Sequence, residues 1–154
     1  TIRPFNTFGP RQSARAVIPT IITQVLTQPM VRLGNLEPTR DLTYVADTVE
    51  GFIRVAECPE AVGQVINIGS GHETSIADLA KTILALVGND VPIICDDERV
   101  RPEDSEVKRL CADTCRAREI IGWQPQYTLE DGIAKTIDWI RRNIERYRPG
   151  TYAI

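Results

Sequence analysis

Residues 3–11 read Arg-Pro-Phe-Asn-Thr-Phe-Gly-Pro-Arg, and residues 40–47 read Arg-Asp-Leu-Thr-Tyr-Val-Ala-Asp. Each stretch joins an apolar run to a turn or to the start of a predicted helix. This position directs polar side chains into a cleft between secondary-structure elements. The two stretches therefore predict both the local fold and the place of a ligand site. Because the first stretch begins so early, we expect the chain to be part of a larger protein.

The composition excludes some partners. The chain has 154 residues, enough for one domain with a hydrophobic core, and a formal net charge of -3. A nonspecific nucleic-acid binder would normally carry a basic surplus, and no apolar run is long enough to span a bilayer. We expect neither a nucleic-acid partner nor a membrane partner.

The cysteines predict no metal site. Only Cys111 and Cys115 are close together, whereas Cys58, Cys95 and the single His72 are distant in sequence. A structural zinc site requires two close pairs of ligands. We therefore expect reduced cysteines in a cytoplasmic protein, with no bound metal.

Strand and helix patterns alternate along the chain, which predicts an α/β fold. The predicted strands cover 1–5, 31–33, 65–69, 91–95 and 108–111. The predicted helices start near residue 16, at Asp47 (a capping box with Glu50), at Ser75, near Thr114 and near Thr128. In open α/β folds, ligands bind where strands end and helices begin.

Four polar residues at such junctions are candidates for ligand binding. The amide of Asn6 could bond a ligand or the local backbone, and Arg40 could clamp a phosphate or pair with Asp41 or Glu37. Asn67 ends a predicted strand, and Arg101 follows Arg99 in a loop that could also be a solvated charge run. Together, two arginines, two asparagines and the N–H groups of the first helix would suit a diphosphate with several hydroxyls.

Several catalytic motifs are missing from the sequence. Gly69-Ser70-Gly71 continues as His72-Glu73-Thr74 and opens no G-x-G-x-x-G loop, and no tyrosine is followed by a lysine four positions later. We read His72 as a loop residue, since no nucleophile pattern surrounds it. The sequence therefore predicts no catalytic residue in this chain.

Five segments resemble, in the same order, the extended short-chain dehydrogenases that act on nucleotide sugars: epimerases, 4,6-dehydratases and decarboxylases. They are residues 3–11, residues 40–47, Val65-Ile-Asn-Ile-Gly69, Arg101-Pro102 and Ile121-Gly-Trp-Gln-Pro125, and they span nearly the whole chain. The run from residue 3 to residue 19 is most similar to the NAD-dependent 4,6-dehydratases of UDP-N-acetylglucosamine.

The resemblance implies that residues 1–154 form the C-terminal, substrate-binding part of an extended Rossmann-type short-chain dehydrogenase. Residues 1–15 would be the last part of the Rossmann core and the crossover, and the N-terminal dinucleotide-binding domain would be absent. That domain carries the Gly-rich loop and the catalytic Tyr-x-x-x-Lys of the family. NAD would be bound mainly there, the fragment alone would be inactive, and the parent enzyme would be a homodimer.

The resemblance also assigns roles to residues. The ligand would be a nucleotide-diphosphate sugar, UDP-linked, and Pro4 would lie near the nicotinamide of the cofactor. Asn6 and Arg40 would contact the diphosphate, Val17 and Leu33 would line the base and ribose pocket, Asn67 would lie in the same pocket, and Arg101 would hold the nucleotide end. Relatives often have an aromatic residue where this chain has Leu33, which keeps an apolar wall.

A different class of function stays open on the residues alone. The amphipathic segment from Leu129 to Tyr147 carries Arg141, Arg142, Arg146 and Arg148, which could dock an acidic partner in a non-catalytic interaction domain. The alternative is an ordinary solvated face over a buried isoleucine stripe. A fragment that lacks part of its sheet could also expose apolar surface and associate with copies of itself.

Overall fold

Strands and helices alternate along the chain, which confirms the predicted α/β class. The computed structural model describes residues 1–96, 99 and 106–147. In these ranges the strands are β1 Ile2–Pro4, β2 Asn6–Phe8, β3 Val31–Leu33, β4 Thr39–Tyr44, β5 Ile66–Ile68, β6 Glu73–Ser75, β7 Ile93–Cys95 and β8 Arg109–Leu110. The α-helices are α1 Val17–Thr27, α2 Val45–Glu57, α3 Ile76–Val87, α4 Cys115–Ile121 and α5 Leu129–Arg142.

Strand β4 is the centre of the largest sheet. It pairs in parallel with β2 through its second half and with β8 through its first half, and β6 runs antiparallel to it. Two further parallel pairs, β1 with β5 and β3 with β7, complete the strands of the described residues. Because β4 carries the stretch 40–47, this stretch lies where several elements meet.

The strand predicted over residues 1–5 is confirmed as β1, but it is not buried, and a second strand, β2, follows it where no strand was predicted. The chain forms two strands that change sheets at Phe5, whose N–H donates to the Ile68 carbonyl at 2.8 Å. β1 pairs with β5, whereas β2 pairs with β4 and places Asn6 opposite Leu42. Asn6 therefore lies just past β1, as predicted, and also opens β2. Local sequence can indicate extended backbone over residues 2–8, but it does not indicate that β1 pairs with β5 and β2 with β4.

The prediction that Asp47 caps a helix is also wrong. Helix α2 begins at Val45, and Asp47 lies inside its first turn with 2% of its surface exposed. Its carboxylate accepts hydrogen bonds from the backbone N–H groups of Gln126 at 2.9 Å and Tyr127 at 3.2 Å. Asp47 therefore anchors the segment that leads into α5.

Two other helix starts agree with the sequence. The Ser75 hydroxyl accepts from the Asp78 N–H at the start of α3, and Thr128 with Asp131 forms a full capping box at α5. Helix α5 stops at Arg142, and Ile144 belongs to a 3₁₀ turn, not to the helix as predicted. Strand β6 lies between the Gly-rich turn and α3, where no strand was predicted.

The main core lies between α1, α3, α5 and the sheets. Its fully buried members include Ile18, Ile21, Ile22, Val25, Val31, Leu79, Ala80, Ile83, Ile133 and Ile140. The isoleucine stripe of α5 thus faces inward, and Arg141 donates to the Val87 carbonyl at 3.1 Å. A smaller core surrounds Trp123, whose indole N–H donates to the Asp47 carbonyl at 3.0 Å. None of the helices in the described ranges combines the length and apolar character needed to cross a bilayer.

One fully buried carboxylate, that of Asp41, ties β4 to two distant segments. It accepts the backbone N–H groups of Ser70 at 2.7 Å, Gly71 at 2.9 Å and Ala112 at 3.0 Å, and the Ser70 hydroxyl at 2.7 Å. Space here is tight, since a Cβ on Gly69 would overlap the Ala112 Cβ and lie 2.9 Å from Asp41 Oδ2. These contacts predict that a glycine is required at position 69.

We expect Asp41→Asn to lower the free energy of unfolding by about 3 kcal/mol, because the new amide would turn N–H groups toward buried N–H donors. Urea unfolding followed by circular dichroism measures the loss. The control is Asp138→Asn, whose parent carboxylate lies on the exposed side of α5. Equal stability of the two variants would contradict the anchoring role of Asp41.

Candidate functional site

A cleft of about 380 Å³ lies between β2, the start of α1, β3 and β4. Its lining includes Asn6, Val17, Leu33 and Arg40, which are four of the residues singled out from the sequence. Leu33 is buried and forms part of an apolar wall, and Arg40 and Asn6 are partly buried. The fold thus brings together side chains from four separate elements.

The cleft is positively charged. Arg15, Arg32, Arg40 and Arg99 line it, and among the described lining residues the only carboxylate is that of Glu106; Asp96, which does not line the cleft, pairs with Arg99 at 3.2 Å. The whole chain has a formal net charge of -3, so this excess of positive charge is local. A cleft that concentrates arginines favours anionic ligands, and guanidinium groups match the geometry of phosphate oxygens.

Arg40 is held at the wall of the cleft by two contacts. Its Nη1 donates to the Thr39 carbonyl at 2.8 Å, and its Nη2 lies 3.8 Å from Glu106 Oε1. The alternative to a phosphate role was an ion pair with Asp41 or Glu37. Arg40 pairs with Glu106 instead, and the Asp41 carboxylate already accepts backbone N–H groups. The Arg40–Glu106 distance is long for a strong ion pair, so an anionic ligand could compete with Glu106 for the guanidinium.

The Asn6 side chain has a fixed orientation. Its Nδ2 donates to the Asp41 carbonyl at 3.1 Å across the β2–β4 pair. A side-chain amide nitrogen carries two hydrogens, so one further donor and the Oδ1 acceptor remain for a ligand. The predicted alternative, a turn residue that bonds its own local backbone, is not what the structure shows, since the bond runs to β4; the second hydrogen can still face the cleft.

Helix α1 begins at the cleft without a side-chain cap. Ala16 occupies the N-cap position, no acidic residue lies in the first turn, and Pro19 has no N–H. In contrast, Ser75 caps α3 and Thr128 caps α5. An uncapped helix start presents backbone N–H groups and the positive end of the helix dipole to an anion.

Some lining residues were not predicted as ligand-binding. Gln12 is held by its Nε2, which donates to the Thr7 carbonyl at 3.0 Å, and its buried Oε1 has no partner among the described residues. Arg15, Arg32 and Glu106 also line the cleft. The sequence feature that indicates a lining role for Arg15 is its position one residue before the N-cap of α1, in the same polar run as Gln12. Glu106 becomes a lining residue only through the fold, since it is distant in sequence.

Two of the described site residues, Asn67 and Pro4, do not line the cleft. Asn67 lies on β5, where its Nδ2 donates to the Asp113 carbonyl at 3.1 Å, and it is not among the lining residues. Pro4 is an exposed residue of β1 and does not line the cleft either. Arg101 lies outside the described residues. The ligand and cofactor roles of these three residues stay predictions.

A second cleft, of about 460 Å³, lies near the start of α5. The rings of Tyr44 and Tyr127 stand 4.9 Å apart at its wall, and His72 also lines it. Burial raises the pKa of Tyr44, and the charges that Tyr127 and Asp47 can carry raise it further. The aromatic pair and the buried Asp47 indicate that this region packs α5 against β4.

The chain matches the family model described as GDP-mannose 4,6 dehydratase over residues 1–136. A UDP-glucose 4-epimerase of Mycolicibacterium smegmatis is 38% identical over 91% of this chain and 44% of its own. A UDP-glucuronic acid decarboxylase of Xenopus tropicalis is 31% identical over 97% of this chain and 35% of its own. A dTDP-glucose 4,6-dehydratase of Xanthomonas campestris is 29% identical over 90% of this chain and 41% of its own.

Solved structures agree with these matches. An epimerase from Methanothermobacter thermautotrophicus has a TM-score of 0.86 and 31% identity, over 97% of this chain and 45% of its own. A UDP-glucuronic acid 4-epimerase from Bacillus cereus, solved with UDP-glucuronic acid and NAD, has a TM-score of 0.82 and 28% identity, over 92% of this chain and 45% of its own.

The fold and the matches define a partial Rossmann-like unit of the extended short-chain dehydrogenase type. The chain belongs to the GDP-mannose 4,6-dehydratase family, and its relatives are nucleotide-sugar epimerases, dehydratases and decarboxylases. It spans less than half the length of these three curated relatives. The matches therefore do not by themselves assign the activity of a whole enzyme to this chain.

Tyr44→Phe should reduce the loss of stability at alkaline pH. The pKa of Tyr44 is raised above its ordinary value of 10.0, so the unfolded chain releases this proton first as the pH rises. The stabilising contribution is complete below that ordinary value and is lost as the pH rises through the pKa of the folded state. Urea unfolding of both proteins at about pH 8 and about pH 10.5 measures the difference. Equal losses in both proteins would contradict a raised pKa of Tyr44.

Proposed function

We propose that this chain forms the nucleotide-sugar-binding part of an NAD-dependent nucleotide-sugar enzyme. The observation that carries the proposal is the cleft lined by four arginines and, among its described lining residues, one carboxylate. A nucleotide-diphosphate sugar carries a negative charge on each phosphate, an apolar base face and several hydroxyls. The cleft offers guanidinium groups, a wall with Val17 and Leu33, and the polar amide of Asn6 in the same space.

The diphosphate is proposed to lie between Arg40 and the start of α1. Arg40 would turn from Glu106 toward the phosphate oxygens, and the uncapped backbone N–H groups at the start of α1 would donate from the other side. The remaining hydrogen of the Asn6 amide would donate to the same group. Fixed donors around the diphosphate would position the sugar without taking part in bond making.

The base and ribose are proposed to contact Val17 and Leu33, which supply an apolar surface but no aromatic ring for stacking. Arg101 would hold the nucleotide end, whereas Asn67, which does not line this cleft, is given no part in it. A UDP-linked ligand is favoured by relatives: a Bacillus cereus epimerase has been solved with UDP-glucuronic acid, and a Thermotoga maritima epimerase with UDP-glucose.

Among the reactions of the relatives, we propose sugar 4,6-dehydration of a UDP-N-acetylglucosamine type. This choice rests on the similarity of residues 3–19 to such dehydratases; the description of the matching family model shares the 4,6-dehydration but names GDP-mannose. Epimerisation at C4 and decarboxylation are the alternatives, since relatives with those activities also match. The parent enzyme is proposed to be a cytoplasmic homodimer.

The cofactor is proposed to be held mainly by residues outside this chain. NAD, when bound, supplies reversible hydride exchange with the sugar. Pro4 offers apolar ring surface suited to a nicotinamide neighbour, but it has no N–H to donate, so it cannot hold a dinucleotide alone. The chain also has no Tyr-x-x-x-Lys, so by itself it is proposed to bind substrate without turning it over.

Arg40→Gln should weaken UDP-glucose binding by about tenfold or more, since it removes a charge-assisted contact to the diphosphate. Isothermal titration calorimetry on the parent and variant chains measures the dissociation constants. The control is Arg116→Gln, whose parent side chain is exposed on α4 away from the cleft. If Arg40→Gln binds as tightly as the control, the phosphate role of Arg40 is wrong.

A further inference from the structure

The carboxylate of Glu106 lies in the positively charged cleft, beside the arginine that is proposed to bind phosphate. Its Oε1 is 3.8 Å from Nη2 of Arg40, and only 13% of the Glu106 side chain and 17% of the Arg40 side chain are exposed. Charges with so little contact to water are screened less than those of a surface ion pair. Glu106 therefore changes the electrostatic field that an incoming anion meets in this cleft.

The neighbouring backbone keeps Glu106 at this place. Two residues further along the chain, the Lys108 carbonyl accepts the Thr39 N–H at 3.0 Å, and β8 then pairs with β4. The Ala112 N–H donates at 3.0 Å to the buried carboxylate at the centre of β4. Because both ends of this segment are held on β4, the Glu106 backbone stays beside the cleft. Its carboxylate can leave the guanidinium by rotation of its own side chain.

An anionic ligand and Glu106 would compete for the same guanidinium. Nη1 of Arg40 donates to the Thr39 carbonyl at 2.8 Å, and Nη2 lies toward Glu106. A phosphate that approaches Nη2 either displaces the carboxylate or comes close to another negative charge. A carboxylate that loses its counter-ion in a poorly hydrated place is costly in free energy. Ligand binding at Arg40 therefore has an unfavourable contribution from Glu106.

Carboxylates also limit how much positive charge the cleft offers to a ligand. Glu106 compensates one of the four lining arginines, and Asp96 pairs with Arg99 at 3.2 Å. Arg15 and Arg32 have no ion-pair partner within the part of the chain that the structure describes. Two uncompensated guanidinium groups match a diphosphate diester, which carries one negative charge on each phosphate. A carboxylate on the sugar would add a charge that these groups do not compensate.

We propose that Glu106 is a specificity-determining residue, which makes the cleft select nucleotide sugars with an uncharged sugar over those whose sugar carries a carboxylate. This inference rests on the proposed function, because it names the substrate class of the same cleft. The sugar is bonded directly to the diphosphate, so a carboxylate on it stays within about 10 Å of the phosphates, the screening distance at moderate ionic strength. Glu106 repels this carboxylate and keeps the charge of Arg40 partly compensated.

This selectivity separates the reactions considered above. The Xenopus tropicalis relative is a UDP-glucuronic acid decarboxylase, so its ligand carries a carboxylate on the sugar. A 4,6-dehydratase of the UDP-N-acetylglucosamine type would act on an uncharged sugar, and the Mycolicibacterium smegmatis relative is a UDP-glucose 4-epimerase. Glu106 therefore disfavours decarboxylation and is compatible with dehydration and epimerisation.

The test is isothermal titration calorimetry of the chain with UDP-glucose and with UDP-glucuronic acid. The parent chain should bind UDP-glucose more tightly. Glu106→Gln keeps the size of the side chain but removes its charge. It should strengthen UDP-glucose binding by about threefold and UDP-glucuronic acid binding by about tenfold, so that the preference for UDP-glucose shrinks.

Two further variants support the comparison. Glu119→Gln is the control, because its parent carboxylate is exposed on α4 and does not line the cleft, and it should leave both dissociation constants unchanged. Glu106→Ala removes the same charge with a different side chain, and it should shift the preference in the same direction as Glu106→Gln. Circular dichroism establishes that each variant is folded.

The outcomes distinguish this inference from the proposed function. If UDP-glucose binds but the parent chain binds UDP-glucuronic acid equally well, the selectivity is wrong, whatever the variants do. An unchanged preference in folded Glu106→Gln and Glu106→Ala also overturns the role of Glu106, and weaker binding would make it an acceptor for ligand hydroxyls instead. If neither UDP-sugar binds the parent chain or the variants, the proposed function itself is contradicted, and the selectivity with it.

Discussion

The buried carboxylate of Asp41 is the contact on which the arrangement of this fold depends. It accepts hydrogen bonds from Ser70, Gly71 and Ala112, and so joins the centre of β4 to the turn after β5 and the segment before α4. A fully buried carboxylate is stable only when hydrogen-bond donors surround it. The donors here are mostly backbone N–H groups, which hold their positions only while the segments stay together. The charge and the fold therefore stabilise each other.

The same strand contributes to the core and to the cleft because its side chains alternate. Arg40 and Leu42 line the cleft, whereas Asp41 and Thr43 are buried on the other side of β4. A shift of β4 by one residue would exchange these two sets, placing a carboxylate at the cleft and a guanidinium in the core. The anchoring by Asp41 thus fixes the register that puts Arg40 beside the cleft.

Sequence motifs predicted correctly those helix starts that are stabilised by neighbouring residues. They failed where contacts with residues distant in sequence determine the structure. The caps at Ser75 and Thr128 mark α3 and α5 correctly, since a cap acts within one turn. Asp47 has the same local pattern but contacts residues near 126, which no nearby residue indicates. In the candidate site, Asn6 and Arg40 were predicted together from sequence motifs. Glu106 lines the same cleft only because the fold brings it close to Arg40, and no sequence motif indicates this.

The central claim is that the arginine-lined cleft, and not the aromatic cleft near α5, is the ligand site. The most direct measurement is an NMR titration of the ¹⁵N-labelled chain with UDP-glucose. The account predicts that the amide signals of Val17, Leu33 and Arg40 shift with ligand concentration, while those of Thr74 and Tyr127 stay in place. Shifts concentrated at Thr74 and Tyr127, or no shifts at saturating ligand, would contradict it.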